Sequence, residues 1–275
     1  MSNQINFKFL KTKAVERRLD ILDCCYNYSG HIASSFSCTE ILVYLYYHFL
    51  KINPKKPNDT NRDLLILSKG HSSELLYSIL SDLSFFPINW FKKNFCNGRY
   101  ILGSHTDSKI PGVEYSAGSV GHGLGIASGI SLVKKKNNRK IVVVTGDAEL
   151  SEGSIWEAMF FIKKNNLKNI IIIIDYNNIG ATDFVNNFIS FDNLKNKILS
   201  FGLKVSEIKK ANDFKNLDRT LKKFKNKKNF YTQVFICHTK KGFGFKYFEN
   251  DPIWHVKKIT TNVYERAKKY LLKSI

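Results

Sequence analysis

Residues 140–149 read Lys-Ile-Val-Val-Val-Thr-Gly-Asp-Ala-Glu, and residues 169–180 read Asn-Ile-Ile-Ile-Ile-Ile-Asp-Tyr-Asn-Asn-Ile-Gly. Each begins as a short apolar run and ends in residues that carry side-chain oxygens. Uninterrupted β-branched runs of this length predict strands buried on both faces. Residues 153–165, between them, read as a helix, so the pair forms one parallel βαβ unit. Asp147 and Asn177 stand thirty residues apart, each just past a strand end. Ligands gather at the C-terminal edge of parallel sheets, so a carboxylate and a carboxamide oxygen are expected side by side there. Two hard oxygens and a nearby main-chain carbonyl suit Mg²⁺, which completes its shell with phosphate and water. Taken singly, Asp147 reads as a helix cap and Asn177 as a loop turn. Their spacing favours a shared site. Gly146 is expected to permit a tight turn out of the first strand.

Working outward, residues 8–28 read as a helix with Val15, Leu19, Leu22 and Tyr26 at helical spacing. Ser37 and Glu40 have the spacing of a capping box, which predicts a helix from 37 to about 50. Leu64 to Leu67 and Tyr231 to Cys237 read as strands. Helices are expected over 72–83, 191–200, 213–226 and 262–273. Apolar strands separated by helices predict an α/β fold with a parallel sheet covered by helices on both faces. No repeat, linker or low-complexity segment divides the chain, so residues 1–275 read as one domain. Gly121, Gly125 and Gly129 recur every fourth residue. Because no strand leads directly into them, a dinucleotide fingerprint is disfavoured. They predict a helix with a bare ridge that another backbone can approach closely.

The formal charge is +20. Such a surface can attract phosphates, nucleic acid or an acidic partner. The lysines, however, are scattered and often follow asparagines, which fits compositional drift. No recognition motif supports nucleic acid as a partner. Lys134 to Lys136 and Lys222 to Lys228 read as solvated helix ends. No apolar run approaches the roughly 20 residues a membrane span needs. The N-terminus has no secretory h-region. Five cysteines without CxxC spacing fit neither zinc nor a disulfide framework. A reducing, cytoplasmic setting is expected.

His31 and His71 each follow a glycine, and His105 follows Gly103-Ser104. Loop positions of this kind suit ligand contact, although a lone loop histidine is more often ordinary surface. His48 and His238 read as structural.

The stretch from Gly146 through Glu149-Leu-Ser-Glu-Gly153 to Asp175-Tyr-Asn177 resembles the thiamine diphosphate motif of transketolases. Further landmarks in family order are Ser29-Gly30-His31, Leu67-Ser-Lys-Gly-His71, Gly103-Ser-His105, Gly118 to Gly123, Thr239 to Gly244 and Trp254-His255. The resemblance implies that Asp147 and Asn177, with the carbonyl of Ile179, bind Mg²⁺ (Ca²⁺ and Mn²⁺ being alternatives). It implies that His71, His255 and the N–H of Ala148 hold the diphosphate of thiamine diphosphate. Gly118 and Val120 would line the ring pocket, and Glu152 would lie at a subunit boundary. His31, His105 and His255 would bind and polarise a sugar phosphate. The family's pyrimidine-binding domain has no counterpart here. A split enzyme is therefore expected, completed by a C-terminal subunit, as a dimer of heterodimers. Its reaction would be transfer of a two-carbon ketol unit between sugar phosphates. Two alternatives stay open: a deoxyxylulose-phosphate synthase, and a non-catalytic assembly subunit. Ala148 replaces the family's second glycine, Ile32-Ala33 its Pro-Gly, His122 its glutamine, and Val256 the glycine after His255.

Overall fold

The computed structural model describes residues 5–97, 102–133, 139–225 and 231–274. The chain opens with α1 (Phe7–Tyr28), α2 (Ile32–Ser37) and α3 (Thr39–Tyr44), the last continuing into a π-turn over Leu45–Phe49. There follow β1 (Leu64–Leu67), α4 (Ser73–Asp82), α5 (Ile88–Asn94), α6 (Gly123–Val133), β2 (Ile141–Gly146), α7 (Gly153–Lys164) and β3 (Ile170–Tyr176). The rest comprises α8 (Val185–Phe188), α9 (Leu194–Ser200), β4 (Lys204–Ile208), α10 (Phe214–Lys225), β5 (Gln233–His238) and α11 (Thr261–Leu272).

The five strands form one sheet in the order β1-β2-β3-β5-β4, with every pairing parallel. Alternate residues feed two cores. Leu65, Val142, Ile171, Ile173 and Phe235 face α1, α3, α4 and α10. Leu64, Ile66, Val143, Ile170, Ile172 and Val234 face α6, α7 and α9. Ile170 to Ile174 are wholly buried, each such side chain contributing about 1.5–3 kcal/mol. This is the α/β fold expected, with helices on both faces. The register aligns Gly146 with Asp175 and Asp175 with Cys237. The ends of β2, β3 and β5 therefore share one edge.

Three local expectations are corrected. Ser37 does not cap a helix. The second helix begins at Ile32, and the Ser37 hydroxyl instead donates to Asp175 Oδ1 at 2.9 Å. Glu40 pairs with Arg18 at 2.8 Å. A tertiary partner outcompeted the local cap in both cases. The glycine ridge also differs. Gly121 precedes α6 with φ of +87°, and a Cβ there would lie 2.7 Å from Glu152 Cβ. Gly123 is the close contact within the helix, where a Cβ would lie 2.5 Å from Ser68 Cβ. Gly125 and Gly129 meet nothing within 4 Å among the described residues. Gly146, finally, stays in β2 and has no left-handed backbone. The lysine runs at 134–136 and 226–228 lie outside the described residues. Among the described residues, no helix is long and apolar enough to cross a membrane.

Candidate functional site

A cavity of about 230 Å³ opens at the C-terminal edge of the sheet. Its wall includes Ser34, Lys69, His71, Val120, Asp147, Ala148, Asn177, Ile179, Lys241 and His255. A larger concavity of about 500 Å³ lies by the N-terminal ends of β1 and β2, lined by Arg62, Glu114 and Arg139. It gathers none of the oxygen-bearing strand ends, and Arg62 is already paired with Glu114.

Asp147 leaves β2 almost fully buried, at 2% exposure. Its Oδ1 accepts the N–H of Ala148 at 2.8 Å, and Oδ2 accepts the N–H groups of Asn177, at 2.9 Å, and Asn178. The two strand ends are thus tied to each other through this carboxylate. Burial pushes Asp147 up to about 6, while the N–H groups of Asn178 and Ala148 pull it back. Asn177 directs its Nδ2 at Ser37 Oγ, 3.0 Å away, and its Oδ1 accepts the N–H of Ile179 at 3.0 Å. The Ile179 carbonyl accepts from Lys241 Nζ at 3.0 Å, and so does that of Gly180 at 2.6 Å.

Beneath this rim lies a buried charge network. Asp175, at 0% exposure, accepts from Lys69, Thr239 and Ser37. Burial opposes the Lys69 charge, but Asp175 outweighs it and holds that ammonium well above its ordinary range. Lys241 has no such partner. Burial and then Lys69 push it down to about 7, against the pull of Asp147 and Asp175. Glu149 braces the opposite side. Its Oε1 accepts from Ser68 Oγ at 2.7 Å and from the N–H of Gly121 at 2.8 Å, and its Oε2 accepts from Thr145 Oγ1 at 2.8 Å.

Four imidazoles crowd one end of the cavity. Ring centroids are 4.8 Å apart for His31 and His71, 5.0 Å for His31 and His255, 4.9 Å for His71 and His105, and 5.5 Å for His31 and His105. Burial pushes His71 down to about 3, with His31 and His105 adding to the shift. Burial and Lys241 hold His255 lower still. Both are therefore neutral near pH 7, each with one N–H donor and one acceptor nitrogen. His255 Nδ1 lies 3.3 Å from both Ser34 Oγ and Lys241 Nζ.

The geometry therefore gathers His71, Val120, Asp147, Ala148, Asn177, Ile179 and His255 on one wall, with His31 and His105 beside it. Gly118 and Glu152 are both exposed and do not line it. Gly118 meets nothing within 4 Å among the described residues, and Glu152 packs its stem against Gly121. Sequence reasoning missed Lys69, Asp175, Lys241, Glu149 and Glu74. The usable signal was a charged residue inside an otherwise apolar run, as in Ser73-Glu-Leu-Leu-Tyr77.

The family model described as "Transketolase, thiamine diphosphate binding domain" matches residues 11–270. One of the two separate chains of the apulose-4-phosphate transketolase of Actinobacillus succinogenes is 35% identical, over 90% of this chain and 89% of its own length. The 6-deoxy-6-sulfo-D-fructose transketolase subunit SqwG of Clostridium sp. (strain MSTE9) is 30% identical, over 86% of each chain. The solved transketolase of Campylobacter jejuni superposes with a TM-score of 0.87 at 30% identity, covering 97% of this chain and 43% of that one. The chain thus spans about two fifths of that full-length relative and nearly all of the separate subunits.

Proposed function

The chain belongs to the transketolase family as its thiamine diphosphate-binding domain, and from that premise we propose that it is the diphosphate-holding half of a two-subunit transketolase. Its reaction is transfer of a two-carbon ketol unit from a ketose phosphate to an aldose phosphate. A complementary subunit carrying the pyrimidine-binding domain completes the site, in a dimer of heterodimers. All 275 residues act as one diphosphate-binding unit.

The observation that carries this reading is the donor set on the cavity wall. A buried carboxylate, a carboxamide and a main-chain carbonyl converge there, and an ammonium already sits on the Ile179 carbonyl. Hard oxygens of this kind fit Mg²⁺, and Lys241 stands in for a cation at one of them. Asp147, Asn177 and the Ile179 carbonyl hold the ion. His71, His255 and the N–H of Ala148 donate to the diphosphate, and Lys241 adds positive charge when protonated. When bound, thiamine diphosphate supplies the nucleophilic thiazolium carbon. The chain's own residues orient it, neutralise its phosphates and exclude water. His31 and His105 face the sugar and handle the protons of its hydroxyls. Subunit names among the relatives, which specify apulose 4-phosphate and a sulfonated fructose, support an anionic ketose as the donor class.

Titration calorimetry of the purified chain with thiamine diphosphate, in the presence and absence of Mg²⁺, tests this reading. Binding should require the metal, and Asp147→Ala should weaken it by about 100-fold or more, since it removes the only charged ligand. Metal-independent binding, or none at all, refutes the proposal.

A further inference from the structure

Glu74 lies in the first turn of α4 with no solvent exposure. A carboxylate buried so completely needs compensating donors, and two of them come from the turn that carries His31. Oε1 accepts the His31 N–H at 2.7 Å, and Oε2 accepts from Ser35 Oγ at 2.9 Å. Gly30 makes room for it, because a Cβ there would come within 2.3 Å of Oε1. The His31 side chain turns the same way. Its Nδ1 is buried, has no hydrogen-bond partner among the described residues, and lies 3.8 Å from Glu74 Oε1. That distance exceeds a hydrogen bond but lies within ion-pair reach, and contacts of this type tighten when substrate binds. The other edge of the ring faces His71, His105 and His255.

We propose that Glu74 is the positioning residue for His31, holding the imidazole with Nδ1–H toward the carboxylate and leaving Nε2 as the acceptor in the histidine cluster. The inference rests on the reading of His31 as a sugar-contacting group. A proton leaving a sugar hydroxyl passes to Nε2, the imidazolium so formed is offset by Glu74, and the same proton returns to a product oxygen. A carboxylate behind an imidazole fixes its tautomer and stabilises its charged form in other proton-transfer sites as well.

Long-range ¹H–¹⁵N correlation spectra of the full chain near pH 8 read the tautomer of His31 directly. The expected wild-type form is Nδ1–H. Glu74→Met removes the acceptor and should convert His31 to the Nε2–H form or a mixture, whereas Glu74→Gln keeps an acceptor oxygen and should retain the Nδ1–H form. A wild-type Nε2–H form overturns the proposal without any variant, and so does an unchanged tautomer in Glu74→Met. In the enzyme assembled with its complementary subunit, Glu74→Gln should lower kcat by about tenfold with KM held within about twofold. An unchanged kcat overturns the proposal. Absence of two-carbon transfer by the wild-type assembly would instead count against the proposed function and leave the tautomer result standing.

Discussion

Ala148 stands where the family has a second glycine, and its backbone decides whether that exchange matters. It opens a 3₁₀ turn and is absent from the left-handed residues. The methyl group is therefore unstrained, and the N–H still reaches Asp147 Oδ1. Ala148→Gly should lower stability by about 0.5–1 kcal/mol through chain entropy. Calorimetry should find its cofactor affinity within about twofold of wild type, and a large gain in affinity would mean that the alanine is a defect. Asp147 and Asn177 were legible from the chain because they close a single βαβ unit. Lys69 and Asp175 were not, because the residues of that pair lie 106 positions apart. Lys241, in a Lys-Lys pair after a strand, reads as surface until the fold buries it. The family's boundary glutamate, at Glu152, lies off the cavity wall because Gly121 draws its stem aside.

Among the elements, α1 and α4 are joined by a charged seam that the sequence pattern did not reveal. Asp82, at the end of α4, accepts from Lys13 at 3.0 Å and from the Tyr47 hydroxyl at 2.6 Å, and pairs with Arg17 at 3.2 Å. Burial works against its ionisation, but Tyr47, Arg17 and Lys13 outweigh it and hold Asp82 below the usual carboxylate range. A depressed folded-state pKa stabilises the protein above the ordinary value near 4. That stability is lost as pH falls through the folded value. Asp82→Asn should therefore cost about 1–2 kcal/mol at pH 7, and the gap from wild type should narrow below pH 4. Urea unfolding at the two pH values measures both. Long apolar strands and amphipathic helices were readable because one period runs through each. β4 was not, since Lys204-Val-Ser-Glu-Ile208 is an edge strand paired only with β5 and carries polar residues. The helix over 32–37 was hidden because its signal resembled a cap five residues too late.

For the whole molecule, the decisive quantity is how much of a reaction centre one chain supplies. The described residues provide an anion-binding wall, a cation grip and a cluster of imidazoles. The full-length relative is more than twice as long, and the proposed complement would contribute the groups that contact the cofactor's pyrimidine ring. The purified chain should accordingly bind thiamine diphosphate yet show no steady two-carbon transfer from ketose phosphates in a coupled assay. Adding the complementary subunit should restore it. Steady turnover by the chain alone would refute the division of labour.

The carboxylate at the end of β2 is clasped by main-chain N–H groups from β3's exit loop. Its aim is therefore set by the sheet itself, not by a rotamer that must be found anew. A ligand arriving there has little to reorganise, and the pace of loading should be governed by encounter in solution, with the protein already in its receiving shape.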